Sequence, residues 1–536
     1  MTQYYNMDTL EAAQSYEDLK VMADVPRFHS KHCPDRVAMI YEGRETTYQD
    51  FDNHSTQLAN GMIAEGVEEQ KRVAYLDVNT DYFFELLFGC GKANTVMCAV
   101  NWRLAPPEVE YIINDAEAEL LFVGERFYDI VEAIKDKIPS VKKIITLSGN
   151  HSQWSSLENW RDSQSKVDPN ISIKESDIAI QMYTSGTTGH PKGVEISNAA
   201  LFASSVDGSE ETKWNEWTPE DVSLVAMPCF HVGGSRWGIM GLIPGCLNII
   251  IPEFDPAKVL SIIQGYKVTK IFMVPAAMQF ILMLPQARET DYSSVDYILY
   301  GASPIPLDLL REAIEVFQCG FIQLYGMTET CGSATFLPAA DHCVEGNERM
   351  KSAGKPLPFV EVCVKGDDGH VLPPREVGEI CIKSPSNMSS YWKLPEATDK
   401  TMVDGWIHTG DAGYTDEDGY VYVYDRVKDM IVSGGENIYP AEIESAMFGH
   451  PAIADVAVIG VPDDKWGEAA KAVVVLKEGV EATAEDILAF TREKIAGFKI
   501  PKSVDFIAEL PRNPSGKLLK KDLRAPYWEG RERNVN

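Results

Sequence analysis

The sequence lacks the cysteine spacing that marks metal ribbons and disulfide-stapled proteins. Its ten cysteines are scattered from Cys33 to Cys381, and no two of them form a C-x-x-C pair. This spacing argues against a zinc ribbon and against a disulfide scaffold. Reduced thiols in the cytoplasm are the simplest interpretation, so we expect a cytoplasmic protein.

Long hydrophobic runs are also missing. The two longest uncharged stretches, Trp237–Pro252 and Ile271–Ala287, are interrupted by prolines and are shorter than the ~20 apolar residues of a membrane helix. The N-terminal stretch has no basic region followed by an apolar one, which predicts that there is no secretory signal. We therefore expect no integral membrane segment.

Positive charge is scarce. The chain has 49 Lys and Arg residues against 80 Asp and Glu residues, a net charge of −31. Such an acidic surface disfavours nonspecific binding to nucleic acids and to anionic lipids, so we expect no nucleic-acid partner. An anionic substrate would then need a locally basic site.

The length and the hydrophobic pattern predict several structural units. A chain of 536 residues is too long for one core, because single cores stop growing near ~250–300 residues. Short, continuous apolar runs alternate with amphipathic stretches, and no internal repeat interrupts this order. Such alternation predicts α/β layers with mostly parallel sheets. Representative strands are Val73–Val78, Leu120–Val123, Ile178–Met182 and Tyr297–Tyr300, and representative helices are Asp81–Gly89, Pro106–Asp115 and Pro256–Gln264.

The pattern changes after about residue 355. Short strands bounded by Gly, Asp and Pro predict a small, mostly antiparallel β unit, and an α+β pattern follows after Asp425. We therefore predict an N-terminal domain over residues 1–424, a hinge over 425–430 and a small mobile α+β domain over 431–536.

A glycine-rich loop, Tyr183–Gly193, follows the predicted strand Ile178–Met182. Its glycines allow close approach of the backbone to a ligand, and its backbone N–H groups, hydroxyls and lysine suit a polyphosphate. Pro191 stands where a Walker loop needs glycine, so the loop is of another type. The residues expected to contact phosphate are Thr184, Ser185, Gly186, Thr187, Thr188, Gly189 and Lys192.

Two further motifs follow predicted strands. Gln323–Glu329 places a hydroxyl and a carboxylate at a strand end, where α/β folds bind ligands and where a carboxylate suits Mg²⁺. On this stretch alone, a simple turn with an exposed acid is about as good an interpretation. Tyr300–Pro306, with its small residues, is by itself best interpreted as a tight strand-to-helix turn.

Four motifs are ambiguous when each is considered alone. His231 in Pro228–Gly234, taken alone, is more often a packed core histidine than a catalytic one. The acid that ends Trp406–Asp411 suits ribose hydroxyls but also an ordinary turn. Asp425–Glu444 could be a charged linker before a helix. The basic stretch from Pro511 to Lys517 could be a solvated tail.

Taken in order from about Pro34 to Leu523, these motifs resemble those of the adenylate-forming superfamily. This group comprises acyl- and aryl-CoA ligases, beetle luciferases and the adenylation domains of nonribosomal peptide synthetases. The overall pattern is most similar to medium- to long-chain fatty acyl-CoA ligases. Leu324 replaces a glycine often found there, and His231 replaces the Asp usual in amino-acid-activating domains, which makes an amino acid substrate less favoured.

The resemblance implies roles for individual residues. Thr328, Lys192, His231 and Lys517 would serve catalysis together with Glu329, which would also hold Mg²⁺. Lys428 would be the hinge pivot. Further ATP contacts would come from Gly301, Ala302, Ser303, Gln323, Tyr325, Gly326, Asp411 and Arg426, CoA contacts from Ser433, Gly434 and Gly435, and acyl-pocket contacts from His231, Trp237, Leu324, Met327 and Cys331.

The implied reaction has two steps. A carboxylic acid and ATP give acyl-AMP and pyrophosphate, and CoA then gives acyl-CoA and AMP. An aryl acid, a carrier protein or oxygen as the second reactant, and nucleotide binding without catalysis remain alternatives. The pocket residues are mostly apolar, and Arg236 is the one candidate for holding a second carboxylate. The resemblance also allows a homodimer.

Overall fold

The computed structural model describes residues 4–5, 15–184, 191–203, 206–366, 368–426, 429–433, 436–463, 465–492, 494–495, 497–512 and 518–529. It is an α/β structure with two large mixed sheets, a small antiparallel sheet and a small α+β unit at the C-terminal end. The expected fold class is therefore confirmed.

The first sheet has eight strands, of which the inner ones are parallel and those at one edge antiparallel. Strands such as Leu120–Val123 are buried along their whole length, as expected for apolar runs covered on both faces. From edge to edge the strands are Ser390–Tyr391, Lys192–Ser197, Ile178–Thr184, Val96–Ala99, Arg72–Leu76, Leu120–Val123, Lys143–Thr146 and Ser155–Ser156.

The second sheet has nine strands and the same plan, with a parallel centre and antiparallel edges. Its N-terminal strand Val37–Tyr41 inserts beside a strand from far along the chain. From edge to edge the strands are Lys355–Pro356, Gly332–Leu337, Gly320–Met327, Tyr297–Gly301, Lys270–Met273, Val222–Val225, Leu247–Ile250, Val37–Tyr41 and Arg44–Thr47.

The main hydrophobic core lies between these two sheets. Helix Asp81–Ala93 contacts strands of both sheets, and all of its residues are buried, because its sequence is apolar on nearly every side. The other helices of this part are Asp24–His32, Tyr48–Ala64, Pro106–Ala116, Tyr128–Ile134, Leu157–Asp162, Asn198–Phe202, Val232–Leu242, Pro256–Tyr266, Pro275–Leu282, Leu307–Phe317 and Pro395–Thr401.

The predicted small β unit is a third, antiparallel sheet with its own small apolar cluster. Its last strand, Val421–Arg426, includes the first two residues of the predicted hinge, whereas Lys428 lies outside the described residues. The strands of this sheet are Glu361–Lys365, Gly378–Lys383, Met402–Val403, Trp406–Thr415 and Val421–Arg426.

The C-terminal unit has a separate core, which favours the predicted division of the chain. Its long hairpin, Ile453–Asp463 with Gly467–Leu476, is joined by the parallel strand Ser503–Phe506. No helix of the described residues is long and apolar enough to cross a bilayer. The remaining elements of this unit are Ile431–Ser433, Glu436–Ile438, Pro440–Phe448, Ala484–Arg492 and Lys520–Arg524, and a separate pair, Tyr4–Tyr5 with Ile173–Lys174, lies near the N-terminus.

Candidate functional site

The glycine-rich segment connects two antiparallel strands at one edge of the first sheet. Thr184 ends the first strand and pairs directly with Lys192, which begins the second. The residues between them that were predicted to contact phosphate, Ser185, Gly186, Thr187, Thr188 and Gly189, lie outside the described residues. The hairpin thus places a hydroxyl and an ammonium at the base of the loop.

Lys192 and Glu329 both contact Tyr391. The Tyr391 hydroxyl donates a 2.6 Å hydrogen bond to Glu329 Oε1, and Lys192 Nζ lies 4.2 Å from the centre of the Tyr391 ring. Tyr391 belongs to the outermost strand of the first sheet, and Glu329 follows a strand of the second. An ammonium and a carboxylate from different sheets therefore meet at one aromatic ring, and the sequence analysis missed that ring.

A charged network supports this edge of the first sheet. The Arg72 guanidinium pairs with the Glu195 carboxylate, donates to Gln181 Oε1 at 2.9 Å and covers the ring of Trp392 at 3.4 Å. The Ser390 hydroxyl also donates to Glu195. Because Arg72 is paired and hydrogen-bonded, its burial is compensated, and the strand that carries Tyr391 is held in register.

The Glu329 turn is built by two closely spaced strands. Strand Gly320–Met327 runs on through Tyr325 and pairs antiparallel with Gly332–Leu337, and the short 3₁₀ turn Thr328–Thr330 connects them. A Cβ atom on Gly326 would lie within 3.0 Å of the Gly332 carbonyl oxygen, so only glycine fits. Thr328 is partly exposed and Glu329 is buried, with its backbone carbonyl accepting from the Met388 N–H at 2.7 Å.

The third sheet contributes Asp411. The Tyr325 hydroxyl donates to Asp411 Oδ2 at 2.8 Å, so two residues expected near the nucleoside are in direct contact. Arg426 pairs with Asp411 along the backbone, while its side chain lies outside the description. This contact links the second and third sheets at the same place where the first and second meet.

The strand Tyr297–Gly301 ends beside this position. A Cβ atom on Gly301 would lie within 3.0 Å of the Leu324 carbonyl oxygen, and Ala302 has a φ of +66°, a costly conformation for a residue with a Cβ atom. Ala302 and Ser303 are exposed. On the neighbouring strand, the Gln323 amide oxygen is buried and has no partner among the described residues.

His231 precedes helix Val232–Leu242 and has a free ring nitrogen. Burial, helped by the charge of Arg103, lowers its pKa to about 4, so the imidazole is neutral near pH 7. Its Nε2 atom is buried without a partner among the described residues. The free nitrogen of a neutral imidazole in this position can form one hydrogen bond with a ligand, as donor or acceptor according to its tautomer.

The other predicted acyl-pocket residues separate into two groups. Leu324 and Met327 are partly exposed, and Cys331 is buried in the turn after Glu329. Trp237 is instead packed in the core, with its indole N–H donating to the Leu224 carbonyl at 3.1 Å and its ring against Trp217. Its assignment to the acyl pocket remains a prediction.

The C-terminal part of the predicted site is described only at Ser433. This residue ends strand Ile431–Ser433 and pairs with Gly467. Gly434, Gly435 and Lys517 lie outside the described residues.

Two places could be considered for a metal ion. Glu379, Cys381 and His408 lie close together, but their mixed oxygen, sulfur and nitrogen donors do not suit Mg²⁺, and Glu379 already binds His408 at 2.7 Å and the Gly410 N–H at 2.9 Å. Glu329 offers a hard oxygen at the hydroxyl end of the Tyr391 contact, whereas Lys192 lies at its ring. One carboxylate fits Mg²⁺ in nucleotide sites, where phosphates and water complete the shell.

Comparison with known proteins gives consistent matches over nearly the whole chain. The AMP-binding enzyme family matches residues 27–392, and the AMP-binding enzyme C-terminal domain matches residues 442–517. The fatty acid–[acyl-carrier-protein] ligase ScoC of Streptomyces coeruleorubidus is 39% identical over 532 residues, which cover 99% of this chain and 100% of ScoC.

Two further proteins are similar over comparable lengths. A feruloyl-CoA synthase of Amycolatopsis sp is 37% identical over 503 residues, covering 94% of this chain and 98% of the synthase. The solved structure of a Mycobacterium tuberculosis fatty acyl CoA synthetase matches with a TM-score of 0.74 and 33% identity, covering 95% of this chain and 99% of that chain.

Proposed function

We propose, from the premise that this chain belongs to the AMP-binding enzyme family, that it activates a medium- or long-chain fatty acid as acyl-AMP and transfers the acyl group to CoA. Its family membership shows that it is an adenylate-forming ligase for an acyl or aryl acid, which uses ATP and the thiol of CoA or of a carrier protein. The acid, the acceptor and the residue roles are our proposals.

The observation that carries the proposal is the meeting of Lys192, Tyr391 and Glu329 at the strand pair that joins Thr184 and Lys192. In the first step a carboxylate oxygen attacks the α-phosphorus of ATP, and the bond to the bridging oxygen of pyrophosphate breaks. The nucleophile needs no base because it is already an anion. Catalysis then depends on positioning and on offsetting the negative charge of the phosphates.

The charge is offset by groups from three parts of the chain. Lys192 and the hydroxyls of Thr184 and Thr328 contact phosphate oxygens, and Glu329 would hold the Mg²⁺ ion that neutralises them. Lys517, from the C-terminal domain, would join them during this step. Tyr391 orients the Glu329 carboxylate through its 2.6 Å hydrogen bond.

The nucleoside has a complementary set of partners. The two oxygens of Asp411 accept hydrogen bonds from the ribose hydroxyls, and the Tyr325 hydroxyl fixes the orientation of this carboxylate. The unpartnered Gln323 oxygen accepts from the adenine amino group, and the exposed backbone from Gly301 to Ser303 lies against the base. The ring of Tyr325 would flank the adenine.

The second step uses the C-terminal domain. The domain pivots at Lys428, withdraws Lys517 and brings Ser433, Gly434 and Gly435 beside the pantetheine chain. The thiol sulfur attacks the acyl carbonyl and loses its proton, and AMP leaves with the bonding electrons. Neutral His231 contacts the acyl carboxyl group in both steps.

A second candidate function differs only in the acceptor. The phosphopantetheine thiol of a carrier protein replaces CoA, and this is favoured by the 39% identity to an acyl-carrier-protein ligase over nearly the whole chain. An aryl acid is the alternative substrate, as suggested by the similarity to a feruloyl-CoA synthase.

We further propose that the enzyme is cytoplasmic and that a homodimer is its candidate assembly.

The acceptor and the acid are separated by one assay. The enzyme is incubated with ATP, Mg²⁺ and fatty or aryl acids, and AMP release is followed with CoA or with a holo carrier protein. We expect AMP release to rise with CoA and a fatty acid by more than about tenfold. Release only with the carrier protein would establish the second candidate, and release only with aryl acids would replace the proposed substrate.

A further inference from the structure

Helix Val232–Leu242 has two contrasting faces. On one face, Cβ atoms on Gly234, Gly238 and Gly241 would lie within 3.0 Å of the Pro228 carbonyl, the Phe84 ring and the Asn248 amide, so this face packs closely against the core. Val232, Arg236 and Met240 follow one another at four-residue spacing on another face, and all three remain partly exposed. This face therefore lines an accessible space.

The helix face that carries Val232, Arg236 and Met240 lies next to the turn after Glu329. A Cβ atom on Gly332 would lie 3.8 Å from Val232 Cγ2, and Arg236 interacts electrostatically with the thiol of Cys331. Because Gly332 and Cys331 directly follow the Glu329 turn, the Val232–Arg236 face leads away from the reaction centre on the acyl side. Arg236 lies one helical turn, ~6 Å of rise, beyond Val232.

Arg236 is a partly exposed cation without a counter-charge among the described residues. Its guanidinium donates to the Leu201 carbonyl, and no described carboxylate forms an ion pair with it. A guanidinium has five N–H donors, and one carbonyl leaves most of them for another acceptor.

The accessible guanidinium is a suitable partner for an anion. Arg236 is partly exposed, so its remaining N–H groups can reach a ligand in the space that this helix face lines. A neutral donor would be enough to make the hydrogen bond to the Leu201 carbonyl. A carboxylate, in contrast, matches the planar fork of a guanidinium with two parallel hydrogen bonds.

We propose that Arg236 forms a subsite for a second carboxylate at the distal end of the acid. The preferred substrates are then dicarboxylic acids in which one carboxylate is adenylated and the other binds Arg236. The inference rests on the proposed function and changes its substrate class, since an unsubstituted fatty acid leaves Arg236 unpaired. The reaction is unchanged, because the distal carboxylate takes part in no bond making or breaking.

The test compares acids that differ only in their distal group. Acid-dependent exchange of labelled pyrophosphate into ATP is measured for straight-chain monocarboxylic acids and for α,ω-dicarboxylic acids of the same length. For at least one length we expect kcat/KM to favour the dicarboxylic acid by at least about tenfold, because an acid with a distal methyl group cannot form the ion pair with Arg236. A preference for the monocarboxylic acid at every length overturns the subsite.

Variants identify Arg236 as the cause. Arg236→Met removes the charge at similar volume and should reverse the preference, whereas Arg236→Lys keeps the charge without the fork and should retain part of it. The KM for ATP should be unchanged in both. Arg288→Met is the matched control, because Arg288 is an exposed arginine paired with Glu312.

The outcomes distinguish this inference from the proposed function. If monocarboxylic acids support exchange and Arg236→Met leaves the ratio between the two series unchanged, the subsite is wrong and the ligase assignment stands. If no acid in either series supports exchange, the proposed function fails and the subsite with it. The comparison on the unmodified enzyme is decisive even where a variant does not fold.

Discussion

Tyr391 shows how a single residue can join parts of the site that are distant in sequence. Its hydroxyl binds a carboxylate 62 positions away, and its ring faces the ammonium of Lys192. Lys192 and Glu329 could be found from their motifs, because short local patterns carry them. Tyr391 could not, since its position depends on how the outermost strand of one sheet meets a turn of the other.

Replacing Tyr391 by Phe tests this role. The variant keeps the ring beside Lys192 and removes the hydrogen bond to Glu329. A hydrogen bond to a charged group is worth about 1.5–3 kcal/mol, so we expect the Mg²⁺ concentration for half-maximal adenylation to rise by at least about tenfold. Titration of Mg²⁺ at saturating ATP and acid measures this change.

Tyr292→Phe provides the comparison for this measurement. Tyr292 is buried, and its hydroxyl donates to the carbonyl of Ala287 in the 3₁₀ turn Pro285–Arg288, which contains no residue of the proposed site. The Tyr292→Phe variant should lose about as much folding stability as Tyr391→Phe, but its Mg²⁺ requirement should not change. Equal Mg²⁺ requirements for Tyr391→Phe and the unmodified enzyme would show that Tyr391 does not support metal binding.

At the scale of elements, the site depends on strands whose backbones lie so close together that no side chain fits at the point of contact. The strand Gly320–Met327 passes Gly332 at Gly326, and Gly301 passes the Leu324 carbonyl on the other side. These contacts lie directly before Thr328 and Glu329 on the same strand. The positions of these two proposed catalytic residues thus follow from the backbone spacing of the second sheet.

Gly326→Ala is expected to disrupt this element. The new Cβ atom has no room beside the Gly332 carbonyl oxygen, so the strands must separate, at a cost we place above about 3 kcal/mol. Denaturant unfolding should show this loss, and adenylation at low temperature should fall with it.

The matched substitution is Gly265→Ala in helix Pro256–Tyr266. An added Cβ atom at Gly265 meets no atom within 4 Å, and the change to a better helix former should increase stability by up to about 1 kcal/mol. If Gly326→Ala were as stable and as active as the unmodified enzyme, the close strand spacing would not be essential to the site.

Element positions were largely predictable from the sequence, whereas strand lengths near the site were not. The apolar run Leu120–Val123 coincides with the observed strand because burial on both faces requires such runs. The strand predicted to precede the Gln323–Glu329 motif instead continues through it to Met327, because pairing with Gly332–Leu337 extends it. That pairing is a tertiary contact without a local signal.

At the scale of the whole molecule, three sheets meet where the proposed ATP site lies. Tyr391 links the first and second sheets, and the contact between Tyr325 and Asp411 links the second and third. The sequence predicted the α/β class and the separate C-terminal unit from changes in periodicity. The meeting of the sheets could not be predicted, because it depends on the packing of Asp81–Ala93 between two of them.

The meeting point also explains how an acidic protein can use an anionic nucleotide. The net charge of −31 repels polyphosphates over the surface as a whole. In the proposed site, the local attraction comes from Lys192 and from the hydroxyl of Thr184, which pairs with it. Phosphate binding should therefore be confined to this place.

The central claim is that the enzyme forms an acyl-adenylate reversibly. The most direct measurement is the exchange of labelled pyrophosphate into ATP with Mg²⁺ and a panel of carboxylic acids, in the absence of CoA and carrier protein. Exchange should require both acid and Mg²⁺, and Glu329→Gln should reduce it by at least about 100-fold through loss of metal-mediated charge stabilisation. The absence of exchange with every mono- and dicarboxylic acid tested, aliphatic or aryl, would contradict the account.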